Sequence, residues 1–307
     1  MAIRLLVVIA STPTALIACH TSEDLPTSPP TQVQKVSSGG FQSPTDAVAS
    51  PDGRTFYFAA YMTDVDKTPA LWETPSDEGS TAQPLVMGDP LEMPIGLVLS
   101  CDGKTLFVAD MGSESGSIQS TPTDGGALTA FPDTGIVRPG GLAMGPDCKT
   151  LYVTGKTGDG KPALFSVSVD GGSATTVYAG EPLVSPTGLH VDKQGVAWVM
   201  DHLAHGDNGE GVLFAIPSDG SSATEVVSDL RMGTPGGVSL TAGGGTAVMP
   251  TVDADGHGQL TAVNIKSGER TDIPAAMITD PAGLRTARKA GVFAVVDSEG
   301  GAIYRAE

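Results

Sequence analysis

A chain of 307 residues with 40 Gly, 23 Pro and only 5% aromatic residues has the make-up of a turn-rich all-β domain, and all-β folds of this length often form one unit. A formal charge of −18 sets a repelling surface before any phosphate backbone and argues against nucleic acid as a partner. With 17% charged residues the chain is not an acidic tail, so its carboxylates belong on the loops of a globular domain.

The first element is a secretion signal. Arg4 supplies a positive charge, Leu5 to Ala10 form a short apolar run, and Ser11, Thr12 and Pro13 break it before it could span a bilayer. The run ends in Leu16-Ile17-Ala18-Cys19, which resembles the lipobox of bacterial lipoproteins. That resemblance implies a signal peptide over residues 1–18, cleavage before Cys19, and lipidation of Cys19, whose acyl chains would hold the protein to a membrane at about 0.8 kcal/mol per buried methylene. His20 follows where an inner-membrane retention signal has Asp, so an outer-membrane anchor is expected if the cell is Gram-negative. Residues 19–32, with Pro26, Pro29 and Pro30 among Ser and Thr, read as a disordered tether.

From residue 33 a single pattern recurs. Pro, two small or turn residues and an apolar strand begin at Pro44, Pro94, Pro139, Pro186, Pro235 and Pro281, spaced 45 to 50 residues apart. Each period continues with a tight turn such as Ser50-Pro51-Asp52-Gly53, a strong β run such as Thr105 to Ala109, a variable loop, a third strand, a hairpin signal such as Asp170-Gly171-Gly172, and an edge strand. Four short strands per period is the size of a propeller blade, so residues 33–307 are expected to form a six-bladed β-propeller. The last period has room for only three strands, and Gln32 to Ser37 can supply the fourth and close the ring. A sandwich or solenoid of similar strand length is the alternative.

Pro-x-Gly-Leu, the Asp-Gly turns and the runs Thr105-Leu106-Phe107-Val108-Ala109-Asp110 and Val196-Ala197-Trp198-Val199-Met200-Asp201 resemble NHL-repeat and gluconolactonase-like six-bladed propellers. The Ser50 to Thr55 segment is equally similar to WD-like and TolB-like bacterial repeats. The gluconolactonase resemblance implies a divalent metal, Ca²⁺ or Mg²⁺, in the central channel, held by a Glu and by Asn and Asp in the middle of Pro-x-Gly motifs. Those middle positions here are Thr45, Ile95, Gly140, Thr187, Gly236 and Ala282, none a carboxylate or amide, and Asp46 stands one place later. No catalytic residue is therefore carried over.

In such a ring, the loop entering each innermost strand and the loop between strands two and three share one face, where ligand sites are expected. The sequence places Asp46, Asp110, Asp201, His202, Asp253 and Asp297 there, with Tyr61, His205, Asp255 and His257. Asp110, Asp201 and Asp297 end the second strand of alternate blades, so they read either as a cation or polyol site or as acceptors within their own loops. His202 and His205, in a loop running on to Asp207 and Asn208, and the pair Asp253 and His257 offer a transition-metal set or solvated loop residues. Gly155 to Lys161 has P-loop spacing, but Pro162 replaces the required hydroxyl and a strand follows in place of a helix. Cys101 and Cys148 fall in equivalent turns of neighbouring repeats, and pair as a disulfide or stand as two thiols.

Two functions fit these features. One is a membrane-anchored extracytoplasmic binding module for a protein, glycan or small molecule, with a recognition patch near Trp72, Tyr61 or His202. The other is a metal-dependent lactonase-like hydrolase or lyase with relocated ligands such as Asp46, Asp201 and Asp297.

Overall fold

The turn at Ser50-Pro51-Asp52-Gly53 shows how each repeat reverses. Ser50 Oγ accepts the N–H groups of Arg54 (3.1 Å) and Thr55 (3.0 Å) and donates to Asp52 (2.7 Å). Gly53, at φ +72°, supplies the left-handed residue that lets the chain turn back. The same bonds recur at Ser100, Asp102 and Lys104. Each such turn joins an innermost strand to the second strand of its sheet.

A computed structural model describes residues 25–64, 66–112, 115–205, 210–233 and 235–307. The expected signal peptide and Cys19 lie outside these residues, as do Asp207 and Asn208. The strands form six four-stranded antiparallel sheets arranged as a six-bladed β-propeller. The innermost strands are Phe41–Ala49, Pro94–Leu99, Leu142–Met144, Pro186–Val191, Ser239–Leu240 and Pro281–Thr286, and they number blades one to six. No helix among the described residues is long and apolar enough to cross a membrane.

The core is divided into six seams rather than gathered in one centre. Phe56 and Phe58 of blade one pack on Ala294, Val296 and Ile303 of blade six. Leu71 and Tyr57 of blade one meet Leu97, Leu106 and Val108 of blade two. The remaining four clusters join the other neighbouring blades in the same way. Each fully buried Leu or Phe in a seam contributes about 1.5–3 kcal/mol relative to exposure.

Closure comes from both chain ends. Val33–Ser38 pairs antiparallel with Ala302–Ala306 as the outer strand of blade six. Across the same junction the Lys289 N–H donates to Pro51 O (2.9 Å), and Arg305 donates to Ser76 Oγ (2.9 Å).

Composition predicted a free tether up to residue 32, and the structure differs over its second half. Residues 25–32 lie as an extended strap across the face formed by the first-to-second-strand turns. Gly243 N–H donates to Pro26 O (2.8 Å), Thr246 Oγ donates to Thr27 O (2.6 Å), and the N–H groups of Thr31 and Gln32 donate to Glu307 O. The prolines that keep this segment extended also leave its carbonyls free to accept, which is what the turn of blade five uses.

Candidate functional site

The three alternating aspartates hold loops together. Asp110 accepts the N–H groups of Glu92 (2.8 Å), Met93 (2.7 Å) and Gly112 (3.1 Å). Asp201 accepts Val184 (2.7 Å), Ser185 (3.0 Å) and Leu203 (3.2 Å), and Asp297 accepts Thr279 (3.0 Å), Asp280 (2.9 Å) and Gly300 (2.9 Å). In each case both carboxylate oxygens point at backbone donors, and the side chain is buried. Each Asp thus staples the loop entering the innermost strand to the loop leaving the second strand. Of the two readings left open by the sequence, a cation or polyol site and acceptors within their own loops, the hydrogen bonds match the second: each carboxylate is engaged by three backbone N–H donors.

The histidines separate. His202 Nδ1 lies 3.5 Å from Thr187 Oγ, and His205 approaches Glu225 at 3.4 Å. Asp253, Asp255 and His257 do sit together, each offering an atom within 4.8 Å of the others. Yet Asp253 Oδ1 already accepts the N–H groups of Asp255 (2.9 Å) and His257 (2.8 Å), and those bonds hold its carboxyl below the usual range. Asp255 and His257 are exposed and Asp253 is half-buried, and the trio reads as a hydrogen-bonded turn. Trp72, expected in a recognition patch, is buried against Phe41 and Phe58 instead.

The Pro-x-Gly motif proves to be a packing device. A Cβ on Gly188 would stand 2.5 Å from Gly236 O and 2.9 Å from Met200 Cβ, because neighbouring innermost strands nearly touch. Thr45 and Thr187, in the middle position that the lactonase resemblance reserved for ligands, donate to Pro94 O (2.7 Å) and Gly236 O (3.4 Å) of the next blade. Only blade one lacks the glycine, and there Asp46 takes its place. Its carboxylate accepts the Leu97 N–H of blade two (2.9 Å) and meets the Arg285 guanidinium of blade six at 3.3 Å. Arg285 also donates to Leu189 O of blade four, so this buried pair ties four blades together, one, two, four and six. Burial raises the Asp46 pKa, and Arg285 offsets part of that rise.

A cavity of about 330 Å³ opens at the channel mouth on the turn face, opposite the loop face where a site was expected. Its inner ring is the fourth residue after each repeat proline: Val48, Val98, Ala143, His190, Ser239 and Arg285. Blades one to three thus give hydrocarbon, and blades four to six give polar groups. Ser239 Oγ accepts the Thr286 N–H (3.0 Å) and lies 3.2 Å from His190 Nδ1. Burial, joined by the guanidiniums of Arg285 and Arg288, pushes the His190 pKa down to about 3, so the imidazole is neutral. The sequence carries this ring in plain view, but only once the repeats are aligned on the proline and read at that one register.

Cys101 and Cys148 are joined in a disulfide on the same face, 47 residues apart in sequence.

A scan against family models finds no match, and no curated protein matches the chain. Solved structures do resemble it. One from a nidogen/laminin complex has a TM-score of 0.62 at 20% identity, covering 79% of this chain and 85% of that one. A protein of unknown function from Bacteroides thetaiotaomicron has a TM-score of 0.64 at 14% identity, covering 90% and 72%. TolB from Acinetobacter baumannii has a TM-score of 0.59 at 14% identity, and the 76% of this chain that aligns spans about half of TolB, 55% of its length. At these identities the likeness is one of fold, and the chain stands among six-bladed β-propellers.

Proposed function

We propose that this chain is an extracytoplasmic lipoprotein, anchored through Cys19, whose propeller is a recognition module centred on the turn-face channel mouth. The observation that carries the reading is the mouth itself: every blade contributes a side chain to one half-apolar, half-polar cavity, while the carboxylates of the loop face are bound up in backbone contacts. The Cys101–Cys148 disulfide supports an oxidising compartment, and the Leu16 to Cys19 motif supports a lipid anchor, in the outer membrane of a Gram-negative cell. A small molecule suits a cavity of this size better than an extended protein or glycan epitope. The lactonase-like alternative gains no support, since Asp46, Asp201 and Asp297 are held by Arg285 and by backbone donors.

Two measurements test this. Palmitate labelling and membrane fractionation should both be lost in Cys19→Ser. Native mass spectrometry of the chain purified from its own host should show a bound small molecule that Val98→Trp, which fills the mouth, abolishes. A ligand retained by Val98→Trp would move recognition elsewhere on the ring.

A further inference from the structure

The polar half of the mouth carries unbalanced positive charge. Arg285 is met by Asp46, but two further cations reach the lining from the turns of blades four and six, Lys193 and Arg288. Neither has a carboxylate within ion-pair distance among the described residues. Asp192, the acid in the lining, is engaged by the N–H groups of Gln194 (2.9 Å) and Val196 (2.9 Å) and by Trp198 Nε1 (3.0 Å). In a chain of net charge −18 this is a local reversal of sign. Concave walls of low dielectric concentrate such a field and draw in the opposite charge. A guanidinium offers a planar fork that matches carboxylate or phosphate oxygens, and an ammonium adds a point charge beside it.

We propose that the turn-face mouth binds a small organic anion, its carboxylate or phosphate between Arg288 and Lys193 and its apolar body against Val48, Val98 and Ala143. The proposal rests on the recognition reading above and names the class of ligand. His190 contributes a neutral imidazole, its Nδ1 3.2 Å from Ser239 Oγ, which also accepts the Thr286 N–H. The volume of about 330 Å³ lies at the low end for ligand pockets, which suits one ring or a short branched chain bearing a single charged group.

Titration calorimetry on the full chain in detergent tests this with three probes: phenylacetate, phenyl phosphate and the neutral phenylacetamide. At least one anion should bind with a Kd near or below about 1 mM, and the amide about tenfold more weakly or not at all. Arg288→Gln should weaken anion binding about tenfold with little change in melting temperature, because Arg288 lies at the exposed rim and has no ion pair to lose among the described residues. Lys193→Gln should weaken it in the same direction. Preference for one of the two anions identifies the charged group. The proposal is overturned if the amide binds as tightly as the anions, if Arg288→Gln leaves anion affinity intact, or if neither anion binds up to about 10 mM. A neutral host ligand that Val98→Trp displaces would sink the anion while leaving the recognition reading in place.

Discussion

Cys148 occupies, in blade three, the left-handed turn position that Gly103 holds in blade two, and it bonds to Cys101, which stands where Pro51 stands in blade one. Between blades one and two the corresponding approach is Gly103 beside Pro51, so close that a Cβ on the glycine would lie 2.7 Å from the proline ring. A contact made by shape at one seam is thus made by a covalent bond at the next. In the chain-entropy model a disulfide closing this 47-residue separation contributes about 4 kcal/mol, and usually less in practice. Cys101→Ser with Cys148→Ser should lower the urea midpoint accordingly. Cys101→Pro with Cys148→Gly should recover part of the loss, since glycine adopts φ 57° without strain. Equal midpoints for the two double variants would show that the turn geometry itself carries no cost.

Asp46 and Arg285 form a coupled pair, and its halves should not be separable. Asp46→Gly alone restores the repeat pattern but leaves a buried guanidinium without its counter-ion, at a cost of about 3–5 kcal/mol. Asp46→Gly with Arg285→Val rebuilds a site like that of Val98 in blade two and should be markedly more stable than the single variant. A double-mutant cycle in urea reads the coupling directly, and strict additivity would refute it.

Asp201 is expected to act on stability and not on metal affinity. Asp201→Ala strands the N–H groups of Val184 and Ser185, each about 1–3 kcal/mol when left unpaired in a buried loop. Melting curves of the wild type should be the same in EDTA and in millimolar Ca²⁺ or Mg²⁺. A Ca²⁺-dependent rise that Asp201→Ala removes would show that the carboxylate ligates after all.

The His190 imidazole gives a pH signature of known sign. Its folded-state pKa is depressed to about 3 from 6.5, so below pH 6.5 the unfolded chain takes up a proton that the folded chain refuses. Stability therefore falls as pH falls through this window, by at most about 1.4 kcal/mol per pH unit from this group. Asp52, Asp102 and Asp147, held below their ordinary range by turn hydrogen bonds, lose their contribution only further down, as pH falls below 3.8. Asp46, shifted upward, works in the opposite direction. Comparing wild type with His190→Gln isolates the histidine: the variant should have the shallower slope between about pH 6 and pH 4.5. Parallel slopes would mean that the ring charges inside the folded channel.

The ring was legible because its signals are local. Turn residues, β runs and the recurring Pro-x-Gly each announce themselves within a few positions, and the shortened last repeat pointed to Gln32 to Ser37 as the closing strand, which the structure forms over Val33–Ser38. The site was not, because its residues are related by the channel axis and not by the chain. His190, Ser239 and Arg285 look unremarkable within their own repeats. Conversely the recurrence of Asp110, Asp201 and Asp297 left a cation site and loop acceptors both open to the sequence, and it reflects a shared loop staple, which only the backbone donors reveal. Asp46 drew attention as a misplaced ligand. It is the sixth glycine position, altered to hold a cation that crosses the axis.

The strap of residues 25–32 has a geometric corollary. It leaves the propeller beside the turns at Gly243 and Gly291, next to the channel mouth. Cys19 is six residues upstream of Leu25, a reach of roughly 20 Å when extended. With Cys19 acylated, as proposed, that reach would keep the edge of the turn face beside the mouth within roughly 20 Å of the headgroups. A molecule that partitions at that interface would then meet the mouth at a higher local concentration than one dissolved in bulk.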